Sequence, residues 1–74
     1  MEDVMNDSGF GRAAMVKFGS VPDGFRVICA EWIGERPSEW KTMRVTGAQF
    51  VGSKRIPRTT MSTIVTREEI DANR

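Results

Sequence analysis

The sequence contains no leucine, no tyrosine and no histidine, and its single cysteine is Cys29. Each absence excludes something. Without histidine, the commonest general base and metal ligand is missing. One thiol makes no intrachain disulfide and falls short of the four ligands of a structural zinc site. There is no phosphate-cradling glycine loop followed by a lysine, and Gly9-Phe10-Gly11 is too short to act as one. No apolar run approaches the roughly 18 residues of a membrane span, so no membrane partner is expected. The start, MEDVMNDSG, is acidic and lacks an apolar stretch, so it does not read as an export signal. That and the lone cysteine lead to the expectation of a reducing, cytoplasmic setting. Neither a metal nor a cofactor is expected.

What is present reads as one small globular unit. The chain has 74 residues, of which 39 % are hydrophobic and 28 % charged. A flexible arm is expected over residues 1–11 and a single domain over 12–74. A domain of this size buries only about 60 % of its unfolded surface, so its core is small. Seven valines, five isoleucines and six threonines take the place of leucine. Leucine favours helices and β-branched residues favour pleated surfaces. The composition therefore predicts a mainly β domain: an antiparallel sheet of about four strands, either a meander or a partly open SH3-like barrel, with one short C-terminal helix.

The chain order supports this. Ala13–Phe18 reads as a first strand with Ala14, Val16 and Phe18 on one face. Residues 19–24 (GSVPDG) read as a turn, with glycine supplying a positive φ. Phe25–Ile33 is apolar on both faces, so a central strand is expected, with Phe25, Val27 and Cys29 on one side and Ile28, Ala30 and Trp32 on the other. Cys29, mid-strand, reads as a small buried hydrophobe rather than a nucleophile. Trp40–Val51 alternates until Gly47, where a β-bulge would return Ala48 and Phe50 to the side of Met43 and Val45. Residues 52–58 (GSKRIPR) form a basic turn and Thr59–Val65 the last strand. Thr66 and Glu69 match a capping box, and the following two turns need Ile70 docked on the sheet to persist. Edges left open on so small a chain predict a homodimer through an edge strand.

Charge is uneven. Lys41, Arg44, Lys54, Arg55, Arg58 and Arg67 are six cations in a stretch without an acid, whereas the rest holds five cations and all ten acids. This block predicts a face that meets an anionic partner. Arg44, between Thr42 and Thr46, is the member best placed for direct contact. Ser53, Thr59 and Thr60 add donors for phosphate oxygens. Six phosphate contacts would give a log–log salt slope of roughly −5 on duplex. The plainer reading is that exposed turns carry charge for solubility.

Trp32 and Trp40 are interface candidates. Either both lie in the core, or one does and the other makes an exposed patch with Phe50 or Met43. Glu31, Glu35 and Glu39 come close together, but Arg36 and Lys41 among them favour a solvated, ion-paired loop over acid–base chemistry. No catalytic constellation emerges, so an enzyme is not expected. The expectation is a regulator or inhibitor, of the size common in phages and mobile elements, that docks on a larger protein or nucleoprotein assembly. The alternative is direct DNA or RNA binding through the basic 41–67 block.

Overall fold

The computed structural model describes residues 9–74. The arm expected over residues 1–11 lies outside them up to residue 8, and Phe10 and Gly11 open a helix instead. The elements are α1 (Phe10–Phe18), β1 (Phe25–Trp32), a 3-10 turn (Pro37–Glu39), β2 (Thr42–Val51), β3 (Lys54–Arg55), β4 (Met61–Thr66) and α2 (Arg67–Ala72). The fold is mainly β, as expected: four antiparallel strands in one open sheet, with a short C-terminal helix.

Strand β2 is the spine. It pairs antiparallel with β1 along one edge, and with β4 and then β3 along the other. In effect this is a three-stranded meander whose third strand is interrupted at residues 56–60. β1 is therefore an edge strand, not the central strand its apolar sequence predicts. A bulge turns the apolar residues of both expected faces, Phe25 and Val27 and then Ala30 and Trp32, to the core, and leaves Arg26, Cys29 and Glu31 outward.

The first strand expected at Ala13–Phe18 is a helix. Ala13 and Ala14 are adjacent and both buried, while Val16 is 73 % exposed. Strand alternation forbids that pattern; a helical stripe through Phe10, Ala13, Ala14 and Phe18 produces it. The absence of leucine does not exclude a helix here, because small alanines let it lie close to the sheet. Ala13 and Ala14 join Met43, Val45, Val65 and Ile70 in the core, with Phe10, Phe18, Val27, Ala30 and Trp32 packed around them. Both helices thus cover one face of the sheet.

The bulge lies on β1, not at Gly47. Val27 pairs with Gly47 and Cys29 with Thr46, so Ile28 is the extra residue. β2 keeps unbroken register with β4 from Thr42 to Gly47. Alternation on β1 switches at the bulge: Phe25 and Val27 face the core before it, Ala30 and Trp32 after it. Cys29 moves to the outer face of an edge strand and is exposed, which corrects the expectation of a buried thiol. Gly47 is needed for a different reason. A Cβ there would stand 2.6 Å from the Phe25 ring, which lies over the bare backbone.

The capping box forms as read. The Thr66 hydroxyl accepts from the Glu69 N–H at 3.1 Å, and the Glu69 carboxylate accepts from the Thr66 N–H at 2.8 Å. Lys17 of α1 pairs with Glu69 at 3.0 Å, tying the helices together. Ile70 is 4 % exposed and docks α2 on the core. The Thr66 N–H first, and then Lys17, hold the Glu69 carboxyl below its ordinary value. A value depressed in the folded state stabilises above the ordinary value and is lost as pH falls through the folded one. Glu69→Gln keeps a cap acceptor but loses this increment. The stability gap between wild type and this variant, measured by denaturant unfolding, should be open at neutral pH. It should close as pH drops below about 4.5.

Candidate functional site

The basic block is split by the sheet. Ten residues at about 3.3 Å each separate the ends of β2 by roughly 30 Å. Lys41 and Arg67 meet at its first end, where the Arg67 N–H donates to the Lys41 carbonyl at 2.9 Å. Lys54, Arg55 and Arg58 lie at the other end, on the hairpin into β3 and the turn after it. Arg44 stands between, on the outer face, bonded to Glu31 at 2.7 Å. Both partners are solvent-exposed, so the pair is worth little in stability, but it neutralises the cation expected to be best placed for direct contact.

The hairpin end gains a cation that sequence order hides. Arg26 of β1 pairs opposite Ala48, which carries it to this end. Its Nη2 donates to the Gly52 carbonyl at 2.8 Å, and its guanidinium lies 4.2 Å over the Phe50 ring. The result is a cluster of Arg26, Lys54, Arg55 and Arg58. Ion pairs among the described residues join Lys17 to Glu69, Arg44 to Glu31 and Arg74 to Asp71, and none involves this cluster. Val51, at the same tip, is 66 % exposed. Arg58 holds a φ of +65°, a left-handed conformation that costs a non-glycine residue roughly 1 kcal/mol. Asp23 sits nearby, and its carbonyl accepts from the Gln49 side chain at 3.1 Å. Only the nonlocal β1–β2 register could have revealed Arg26.

Two of the three hydroxyls expected to meet phosphate, those of Thr59 and Thr60, already have internal partners. Thr59 Oγ1 donates to the Ile56 carbonyl at 2.7 Å and accepts from the Gln49 N–H at 3.0 Å. Thr60 Oγ1 accepts from Arg55 at 2.7 Å. Their work is to shape the loop between β3 and β4.

The tryptophans sit at the other end of the sheet from this cluster. Trp32 and Trp40 are both half-buried and stack on each other, rings 2° from parallel with centroids 6.1 Å apart. The Trp40 indole N–H donates to the Gly34 carbonyl at 3.2 Å, closing the 34–40 turn. Arg67 lies 4.5 Å over Trp32 and donates to the Trp40 carbonyl at 2.9 Å. The patch expected with Phe50 or Met43 does not form: Met43 is buried and Phe50 lies under Arg26. Trp32, Trp40 and Arg67 therefore satisfy one another. Beside them Lys41, Thr42, Thr66, Arg67 and Glu68 line a cleft of about 290 Å³, at the small end of ligand sites.

Glu31 is committed to Arg44, and Glu39 accepts from the Glu35 N–H at 3.3 Å. Among the described residues no three His, Cys, Asp or Glu side chains gather where they could hold a metal ion. No helix among them is long and apolar enough to cross a membrane. Comparison with family models, curated proteins and solved structures gives no match.

Proposed function

We propose that this chain is a non-catalytic, cytoplasmic binding protein, a regulator or inhibitor of the phage or mobile-element type. It docks through its hairpin end on an acidic face of a larger protein or nucleoprotein assembly. One observation carries the reading: the sheet gathers Arg26, Lys54, Arg55 and Arg58 at one tip, with no ion pair to a described residue.

Two further features favour a protein surface over bare nucleic acid. Single-strand binders set aromatic faces beside their cations so that bases stack. Here Phe50 is covered by Arg26, and the tryptophans stack on each other at the far end. The cluster also borders the exposed Val51, and arginine with an apolar neighbour is the composition of a protein interface. Arg58 adds to the case, because a charged side chain held at positive φ on a loop tip costs stability, and the ion pairs among the described residues do not involve it. The mechanism is occlusion. A rigid two-layer wedge with a cationic tip covers an acidic surface and needs no bond-making chemistry.

The test compares capture of partners from a host lysate by the tagged chain and by Lys54→Glu/Arg55→Glu/Arg58→Glu. Loss of the captured partner with the variant supports the reading. Equal capture contradicts it.

A further inference from the structure

β1 pairs with β2 alone among the described residues, so its other edge is open along Phe25–Trp32. The ladder fixes which backbone groups face that edge. The Phe50 N–H donates to the Gly24 carbonyl, and the Ile33 N–H to the Thr42 carbonyl, both at 2.9 Å. Antiparallel pairs alternate between bonded and non-bonded. Counting inward from these two bonds across the bulge, Arg26 and Glu31 turn their backbone groups toward β2. Val27, Ala30 and Trp32 turn theirs outward. So does the Phe25 carbonyl, while the Phe25 N–H bonds back to Pro22 at 3.2 Å.

We infer that this edge takes a second copy of the same chain, antiparallel, with the two-fold axis between Ile28 and Cys29. That register sets Phe25 opposite Trp32 of the second copy, Arg26 opposite Glu31, and Val27 opposite Ala30. Two requirements are met together, one of the strand's alternation, which sets backbone direction and side-chain face at once, and one of charge. The outward-facing backbone groups of Val27 and Ala30 meet each other, and the Trp32 N–H meets the free Phe25 carbonyl, while the Phe25 N–H stays with Pro22. Core-facing side chains meet core-facing ones, because the Ile28 bulge switches the alternation at the axis. Each Arg26 on the outer face meets a Glu31, twice per dimer, which leaves Lys54, Arg55 and Arg58 as the cations of the hairpin tip. Sliding the register by one residue breaks both: Arg26 then opposes Ala30, which faces the other side of the sheet.

Both charged groups have capacity to spare. Arg26 uses one of its five N–H donors on Gly52. Arg44 occupies Oε2 of Glu31, leaving Oε1 for the second cation. The helix-covered faces of the two sheets become continuous as well, with Phe25 and Val27 of one copy on the same face as Trp32 and Ala30 of the other. The dimer extends the open sheet across the axis and removes an edge that a chain of this size would otherwise leave bare.

Sedimentation equilibrium from low micromolar to submillimolar protein tests this. Wild type is expected to move from 8.3 kDa toward twice that mass. Arg26→Glu and Glu31→Arg each turn two attractive pairs into two repulsive ones. Each alone should dimerise on the order of ten- to thirtyfold more weakly. Mixed together, they restore complementarity at both positions, and a heterodimer of near wild-type affinity should form. Wild type at monomer mass throughout overturns the inference, independently of how any variant folds. So does single-variant dimerisation as tight as wild type, or a mixture that stays monomeric. The readout is mass alone, so the outcome is separable from that of the hairpin-docking proposal.

Discussion

The Lys54→Glu/Arg55→Glu/Arg58→Glu chain should lose partner affinity by roughly 100-fold while keeping its fold. The size of the effect follows from placement. The three side chains are exposed at a tip, away from the Ala13, Val45, Val65 and Ile70 core. The one internal bond lost is from Arg55 to Thr60. Circular dichroism and the melting point should therefore change little. The surface potential changes greatly, since each reversal removes two units of charge from a cluster with no ion-pair partner among the described residues. Against an acidic face the attraction becomes repulsion, which slows encounter and costs several kcal/mol at contact. Reversing Lys41 and Arg67 instead should spare affinity. Arg67→Glu would instead lower stability, because its guanidinium lies over Trp32 and bonds the Trp40 carbonyl.

The largest expected effect on stability is at Gly24. Its φ is +83°, and a Cβ there would run into the Phe50 carbonyl oxygen. The same residue accepts the Phe50 N–H at 2.9 Å, the bond that closes the start of the β1–β2 ladder. Gly24→Ala therefore combines backbone strain with loss of that closure, at about 2–4 kcal/mol. For a domain of this length that lowers the melting point by roughly 10–20 °C, read by thermal denaturation. Gly47→Ala should cost less, because Gly47 carries no positive φ, although its new Cβ would crowd the Phe25 ring at 2.6 Å and the Arg26 carbonyl at 2.9 Å. A Gly24→Ala chain melting within a few degrees of wild type contradicts this account of the turn.

Local signals in the sequence were readable and nonlocal ones were not. Residues 66–69 announce their capping box within four positions, and the turn before Phe25 announces its positive φ. The strand over Phe25–Ile33 was legible as a strand. Its place in the sheet was not, because the bulge at Ile28 that brings both alternating apolar sets to one face is set by pairing with β2 and not by local pattern. α1 looks like a strand in sequence because Ala14, Val16 and Phe18 alternate, whereas the adjacent burial of Ala13 and Ala14 that marks a helix shows only in the fold. For the candidate site, contiguity in sequence proved a poor guide to contiguity in space. Lys41 and Arg67 fold to one end of β2 and Lys54, Arg55 and Arg58 to the other. Arg26, outside the basic stretch, joins the latter through pairing alone. The mutual stacking of Trp32 and Trp40 depends on how the 34–40 turn closes, which no local pattern specifies.

The docking proposal is tested most directly by nuclease treatment of the captured complex, followed by a salt titration of what remains. The account predicts that a protein partner stays bound after DNA and RNA are digested, and that moderate salt weakens it only gradually. Loss of every partner on digestion would contradict it. So would affinity for bare duplex falling with a log–log slope of about −3.6, the value for four phosphate contacts.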